Sequence, residues 1–435
     1  MNWLKEFMHT DNKWIIKVPT LIKELIMFFL LVLTIFFIQA NIAWLNPSPG
    51  YGPRLKLNNK IPILWQYQGD AYLEIATAVY FPEIFRVAPD RISRPVYPGI
   101  AKMLGGGFAY LLSSAVKVNP IIATIIGYMV LKIFIYTLFC FLQYKLLCNF
   151  MSNHYAFLSV LLILFHSHAI TYSATYGTQD LEFINPLIIC YLFFDIARRY
   201  SNKKNVLYSL IIGVLFLAKE NYAIYIAIII FSLYKREYKK IFLSICMHFI
   251  PFLIWFIFLK FYGFSYYHHG IEGYGVGTWL YKEFIFMNPS MIFKTFQSSI
   301  ISYIRCLIEF YTVWLFVSVY ALFTLIYKKM ISNHVVLFVG LFAIFHWFQM
   351  FVVRVRYIPY MASDLEFILF GLTSYILGTL INQYFKSSKT VVVAIIGILW
   401  LGWNILSIAQ FPWIHPYNQL GCQDTYTGFW QVPTK

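Results

Sequence analysis

The chain has 435 residues, of which 60% are hydrophobic, 20% aromatic and 12% charged, and its mean hydropathy is +0.66. So few polar residues cannot cover the surface of a soluble globule of this length, which excludes the soluble classes of protein. The formal net charge of +16 is typical of membrane proteins whose lysines lie in cytoplasmic loops, so we expect no nucleic-acid partner. The composition therefore predicts an integral membrane protein in a lipid bilayer.

Long apolar runs recur along the chain from Leu25 to the C-terminal region. A helix needs about 20 apolar residues to cross a bilayer, and many of these runs reach that length. They show no regular alternation of polar and apolar residues, so each span is expected to be a helix. The sequence predicts an all-α integral membrane protein that forms one polytopic domain over residues 1–435. The run at 25–43 has no small-residue cleavage site and is expected to remain as an anchor.

Clusters of lysine and arginine between the runs indicate how often the chain crosses the membrane. Basic loops stay on the cytoplasmic side, so each interval between two such clusters must contain an even number of crossings. Counted in this way, and including the basic stretch before Leu25, the chain has about eleven transmembrane helices, a cytoplasmic N-terminus and an external C-terminus. The four clusters are residues 197–205, 234–240, 327–334 and 382–389.

The expected spans follow in chain order from this parity. The stretch 206–234 is interpreted as a hairpin, because a single crossing there would place two basic clusters on opposite sides. Its tip is "AKEN", with Lys219 and Glu220, and each arm has only about 13 residues, so the tip is expected to lie below the outer surface. The other spans are expected near residues 25–43, 120–147, 155–173, 183–197, 241–261, from Ser299 onward, 335–353, 359–381 and 390–409.

Three external segments result from this topology. The first external loop, residues 44–119, contains the further apolar stretch from Pro95 to Val116, which must not cross if parity is to hold. Its prolines, Lys102 and the triple glycine at 105–107 favour an interfacial or re-entrant helix that breaks at the glycines. The other two segments are a long external loop at 261–298 and an external C-terminal tail at 410–435.

Ionisable residues collect on the external side in this scheme. Such groups are costly at the edge of a membrane, so a functional site is the default interpretation. Carboxylates can act as a general base or bind a cation, while arginine and lysine suit an anionic phosphate. The combination indicates a site for a phosphate-bearing lipid. The candidates are Asp70, Glu74, Arg91 and Arg94 in the first loop, Asp180 and Glu182 in the second, Lys219 at the hairpin tip, and Arg354 and Arg356 in a late turn.

Each candidate also has a purely structural interpretation. Asp70 can cap a helix or pair with a loop arginine, and Asp180 with Glu182 can complement the dipole of the helix that follows. Lys219 can extend to the interface, as can the two late arginines. A pair of histidines, His166 and His168, lies two apart on an expected helix and faces different ways, which favours packing over metal binding.

Four motifs in order carry a family resemblance. They are "GDAYLEIATA" at 69–78, "RPVYP" at 94–98, "FLAKENYAI" at 216–224 and "RVRYIPYM" at 354–361. In this order, after a first helix and a long external loop, they resemble the GT-C superfamily of polytopic glycosyltransferases, which includes protein O-mannosyltransferases and lipid A aminoarabinose transferases. The chain lacks the Asp-x-Asp element of many metal-dependent members, so the involvement of a divalent cation stays open.

The resemblance implies a function and a role for each candidate. A sugar would move from a polyprenyl phosphate carrier to a glycan, lipid or protein acceptor, with inversion, on the periplasmic face of a bacterial inner membrane. Asp70 would act as general base, and the late arginines with Lys219 would bind the donor phosphate. Asp180 and Glu182 would position the acceptor or bind a metal, with Glu74, Arg91 and Arg94 contributing from the first loop.

Two other functions remain open. A transporter or flippase of a lipid-linked saccharide would also display basic groups and carboxylates, although the sequence has no convincing internal repeat. An O-antigen-type polymerase would need a large late external loop rich in arginine, whereas the loop at 261–298 carries only lysine.

Overall fold

The computed structural model describes residues 18–45, 69–86, 95–112, 119–148, 151–166, 169, 181, 184, 187–188, 202–218, 238–264, 289–327, 366–385 and 387–410. Every regular element in these residues is a helix, which confirms the all-α prediction. In chain order they are α1 (Val18–Leu45), α2 (Gly69–Val79), a 3₁₀ turn (Glu83–Arg86), α3 (Val96–Leu112), α4 (Pro120–Leu147), α5 (Asn153–Leu164), α6 (Asn202–Phe216), α7 (Tyr238–Phe261), α8 (Pro289–Tyr327), α9 (Glu366–Tyr384) and α10 (Lys389–Gln410).

Three of the described helices are long and apolar enough to span a membrane, at Pro19–Ile38, Pro120–Leu147 and Phe242–Phe261. They agree with the expected spans at 25–43, 120–147 and 241–261. The expected span at 335–353 lies outside the described residues, as does most of the span at 183–197. The structure therefore agrees with a helical membrane protein.

Helix α4 shows how local sequence sets an element. Asn119 precedes it in an extended conformation, and its side-chain oxygen accepts a hydrogen bond from the Ile121 N–H at 2.8 Å. Pro120 occupies the first helical position, where its missing N–H costs nothing. The helix then runs uninterrupted for 28 residues to Leu147. This cap and the proline explain why the helix begins where the sequence predicts.

The core of the bundle surrounds α5. Nearly every residue from Ala156 to Phe165 is buried, as expected for a helix that is apolar on all sides. Helix α10 contacts it through the Trp400 indole, which donates to the Leu162 carbonyl at 2.8 Å. Helix α9 lies so close that a Cβ on Gly378 would overlap the Tyr155 ring. Among the described helices, α5 thus lies at the centre of the packing with α4, α9 and α10.

Helices α1 and α4 pack antiparallel. Phe28 lies against Tyr144, with ring centroids 5.5 Å apart, and Phe36 lies against Tyr136 at 5.9 Å. The start of α1 and the end of α4 therefore meet at one end of the bundle. This arrangement is the one required if the segment between the two helices does not cross the membrane. The interfacial position of α3 stays a prediction.

The prediction of a helix break at the triple glycine is wrong, because α3 is continuous through Gly105, Gly106 and Gly107. Gly105 faces α4 so closely that a Cβ would overlap the Ala123 carbonyl. Glycine serves here as a contact surface between two helix backbones, as is common between membrane helices. A glycine can indicate a close contact between two helices as well as a helix break, and the sequence alone does not distinguish these two cases.

Helices α6 and α7 pack side by side, and their contacts advance in the same direction. Gly213 meets the His248 carbonyl and Pro251, and Phe216 contacts His248 and then Phe252. The two helices therefore begin at the same end of the pair. Their starts overlap two of the predicted basic clusters, at 197–205 and 234–240, and the even number of crossings between these clusters stays a prediction.

Candidate functional site

The candidate site lies where α2, α3 and α4 meet. The Tyr128 hydroxyl of α4 donates to the Glu74 carbonyl of α2 at 3.0 Å. The Tyr97 ring of α3 packs on the Tyr128 ring, with centroids 5.5 Å apart. Both tyrosines are buried. Tyr128 therefore connects the "GDAYLEIATA" segment to the "RPVYP" segment inside the bundle.

The end of α6 joins this junction. The Val96 N–H at the start of α3 lies 3.4 Å from the Leu217 carbonyl and donates to it. Leu217 and Ala218 form a turn directly after α6, and the next residue is Lys219. Two of the motif segments, some 120 residues apart in the chain, thus meet at their backbones.

Two buried charges mark the junction. The Glu74 side chain is 1% exposed and that of Lys132 is 0% exposed. Within the described residues these are the only fully buried Asp, Glu, Lys or Arg side chains. Burying a charge costs several kcal/mol unless other groups compensate it. Charged groups retained at such a cost inside a membrane bundle indicate a functional role.

Lys132 lies outside the motif segments of the sequence. It lies on α4 one turn beyond Tyr128 and one turn before Tyr136, so the three share one face of the helix. The Tyr136 hydroxyl donates to the Ala169 carbonyl at 3.3 Å. One polar face of α4 therefore runs from α2 toward the segment that follows α5. A single lysine within a 28-residue apolar run was the signal available in the sequence.

The segment with Asp180 and Glu182 is anchored near the same core. Leu181, which lies between them, is buried at 5% exposure and belongs to the hydrophobic core that also contains Tyr97 and Tyr128. Ile184, one turn further along the chain, is buried in the same core. The two described residues of this segment thus belong to the same core as the two tyrosines.

The remaining predicted site residues are only partly accounted for. Asp70 is the second residue of α2, four residues before Glu74. Its side chain lies outside the described part of the structure, as do all of Arg91, Arg94, Asp180, Glu182, Lys219, Arg354 and Arg356. In the part of the chain that the structure describes, no group of three His, Cys, Asp or Glu residues is arranged to hold a metal ion.

An aromatic cluster fixes the first loop to α7. Phe81 stacks on Trp255 and on Phe258, with centroids 6.1 and 5.9 Å apart. The Arg86 guanidinium lies 5.8 Å from the centre of the Phe264 ring. The cluster packs the 3₁₀ turn after α2 onto the end of α7, which limits how far α2 can move away from the bundle.

His166 has a packing environment. It is 3% exposed at the end of α5, where its ring stacks on Trp400 at 5.9 Å and lies 5.3 Å from Phe370. This agrees with the packing role that the sequence favours for it, and His168 lies outside the described residues.

No protein-family model matches the chain, and no curated protein matches it either. The resemblance carried by the four motifs therefore stays a prediction, and the functional argument depends on the residues themselves.

Proposed function

We propose that the protein is a membrane glycosyltransferase of the GT-C type with about eleven spans, its active site on the periplasmic side of a bacterial inner membrane. It takes a sugar from a polyprenyl phosphate and transfers it, with inversion, to a glycan, lipid or protein acceptor. The late arginines and Lys219 bind the donor phosphate, and Asp180 with Glu182 positions the acceptor.

The observation that supports this function best is the meeting of three motif segments at one buried polar junction. Glu74, Tyr97 and Leu217 come from distant parts of the chain, and each lies next to a candidate: Asp70 one turn before Glu74, Arg94 three residues before Tyr97, Lys219 two after Leu217. A lipid-linked sugar needs such a site, in which polar groups gather within an apolar bundle.

The chemistry proceeds in one displacement. Asp70 takes the proton of the acceptor hydroxyl as its oxygen attacks the anomeric carbon. The bond from that carbon to the phosphate oxygen breaks, and its electron pair leaves with the polyprenyl phosphate. Arg354, Arg356 and Lys219 stabilise the negative charge that develops on this leaving group. Each such electrostatic contribution is typically worth about 3 kcal/mol of activation free energy.

The deciding experiment replaces the base. We expect Asp70→Asn to abolish sugar transfer while the protein stays inserted, because an amide can still cap a helix but cannot accept a proton near neutral pH. Asp70→Glu should keep little activity, because the extra methylene moves the carboxylate by about 1 Å. Transfer from a polyprenyl phosphate sugar is measured together with thermal stability, with and without a chelator to test for a divalent cation.

A matched control is Glu83→Gln, which removes a carboxylate of the same loop. Glu83 pairs with Arg86 at 2.9 Å, and both side chains are about two-thirds exposed, at 69% and 68%. This variant should transfer sugar at the wild-type rate. Near wild-type turnover in the Asp70→Asn variant would remove Asp70 as the base, and Asp180 or Glu182 would be tested next.

A further inference from the structure

Lys132 is the charged residue that the proposed mechanism leaves without a role. It lies about 18 Å along the helix axis from Pro120, near the middle of α4. Its side chain is fully buried, although a lysine near the middle of a span is costly for the fold. A positive charge held at such a place needs a compensating negative group.

The packing of α3 on α4 gives the direction of the neighbouring elements. Tyr97 packs on Tyr128, whereas Gly105, two turns later in α3, faces Ala123 at the start of α4. Helix α3 therefore runs antiparallel to α4.

Helix α2 runs in the same direction as α3. The Glu74 carbonyl meets Tyr128, and the Val79 carbonyl meets the Lys102 ammonium of α3 at 3.4 Å. Lys102 follows Tyr97 by more than one turn of α3, and Val79 follows Glu74 by more than one turn of α2. Helix α2 therefore runs parallel to α3 and antiparallel to α4. The start of α2 therefore points toward the middle of α4.

This direction places residue 70 level with residue 132. Asp70 precedes Glu74 by four residues, about 6 Å along the axis of α2. Lys132 follows Tyr128 by four residues, about 6 Å along α4 in the same spatial direction. The bond from the Tyr128 hydroxyl to the Glu74 carbonyl brings these two levels of the helices together. The backbone of Asp70 thus lies beside the stretch of α4 that carries Lys132.

We propose that the Lys132 ammonium pairs with the Asp70 carboxylate and holds it in place for proton abstraction. Lys132 is then a positioning residue. This role rests on the proposed function, because it requires Asp70 to be the base. The pair itself is independent of any activity. It explains why a costly lysine is kept in the apolar bundle next to the start of α2.

Other titratable groups border the same stretch and provide the alternatives. The loop with Asp180 and Glu182 is held by the same core through Leu181. The groups on the packed elements are Asp70 and Glu74 on α2, Tyr97 and Lys102 on α3, Tyr128 and Tyr136 on α4, His166 after α5, and Glu24 near the start of α1. An acid other than Asp70 as the partner of Lys132 would overturn the proposal.

The first test is a double-mutant cycle on thermal stability, which needs no substrate. Lys132→Met removes the cation that we propose for the Asp70 carboxylate, so the Tm should fall by about 5 °C or more. Adding Asp70→Asn should restore much of that loss, because the double variant lacks the carboxylate that Lys132 compensates. Lys132→Arg should stay close to wild type.

Further cycles decide between partners. Lys145→Met removes the other lysine of α4, and Asp70→Asn should add to its effect without coupling, because Lys145 pairs with Glu24. Lys132→Met combined with Asp180→Asn, or with Glu74→Gln at the buried carboxylate of α2, should likewise be additive. Two outcomes would overturn the pairing, whatever the protein catalyses. One is that the Tm losses of Lys132→Met and Asp70→Asn are additive, and the other is that Lys132 couples to Asp180 instead.

The second test is the pH profile of transfer. A neighbouring cation lowers the pKa of a carboxyl group, so its removal raises the pKa of Asp70. The acid limb of the profile should move to higher pH by about 1 unit or more in Lys132→Met and return in Lys132→Arg, while Lys145→Met leaves it in place. An unmoved limb with clear activity would reject the positioning role. If no variant, including wild type, transfers sugar, the proposed function fails while the stability cycle still decides the pairing.

Discussion

Gly105 of α3 lies against the carbonyl of Ala123 in α4, so close that a Cβ on residue 105 would overlap that carbonyl. Gly127 of α4 makes the reciprocal contact with the carbonyl of Ala101 in α3. The two helices thus touch backbone to backbone at two points. This packing holds Tyr97 on Tyr128, and the Tyr128 hydroxyl in turn bonds to Glu74 in the middle of α2.

We expect Gly105→Ala to destabilise the protein by about 1–3 kcal/mol, because the added methyl meets backbone atoms that cannot rotate away. Gly106→Ala is the matched control in the same helix, since no atom lies within 4 Å of a Cβ there. Alanine favours helix over glycine by about 1 kcal/mol, so Gly106→Ala should raise the Tm slightly or leave it unchanged. Thermal unfolding of both variants checks the pair. Equal effects at the two positions would contradict the close contact.

The sequence was sufficient for the elements set by local rules. The span predicted at 120–147 coincides with α4, because Asn119 and Pro120 mark its start and an apolar run fills it. The triple glycine was misinterpreted because glycine weakens an isolated helix, whereas two packed helices offset that weakness by close contact. Only the partner helix decides between these outcomes, and the sequence does not reveal which helix that is.

The candidate site was predictable only in part for a similar reason. The order of the motifs in the sequence indicates that the segments around Glu74, Tyr97 and Leu217 are functional. In the structure these three segments meet. Lys132 is difficult to recognise in the sequence, because one lysine hardly lowers the mean hydropathy of a 28-residue run. Its importance comes from its burial, which depends on how the neighbouring helices pack around α4. Burial is a property of the assembled bundle.

A second prediction concerns the ion pair between Lys145 of α4 and Glu24 of α1, whose charged atoms lie 2.6 Å apart with side chains 17% and 16% exposed. Lys145→Met should cost about 2 kcal/mol of stability, between the values typical of exposed and buried pairs, because it leaves Glu24 poorly solvated. Glu24→Gln in the same background should recover part of the loss. Unfolding of the two single variants and the double variant measures the coupling. For comparison, Glu83→Gln, in an exposed pair, should cost about 0.5 kcal/mol or less.

A third prediction is the orientation of the chain. From the parity of the basic clusters we expect residues 201 and 332 on the cytoplasmic side and residue 434 outside. In intact cells a membrane-impermeant maleimide should label Thr434→Cys, and it should reach Ser201→Cys or Ser332→Cys only after permeabilisation. The native Cys422 lies in the predicted external tail, so all variants are made in a Cys422→Ser background. Cys148 reacts slowly at neutral pH, because burial raises its pKa to about 11 and keeps the thiol protonated. Labelling of Ser332→Cys from outside would contradict the scheme.

The last prediction tests the donor end of the proposed site. Arg356 belongs to "RVRYIPYM", where the resemblance implies that it binds the donor phosphate. Arg356→Ala should raise the KM for the polyprenyl phosphate sugar by about 10-fold or more, because it removes charge-assisted hydrogen bonds to an anion. Arg356→Lys should lose less, because a point charge still attracts the phosphate although it lacks the two-pronged guanidinium. The matched control is Arg86→Ala, which removes an exposed arginine that already pairs with Glu83 in the first loop and should leave donor use unchanged. The same donor KM in wild type and in Arg356→Ala would take Arg356 out of the site and leave Arg354 and Lys219 as the cations to test.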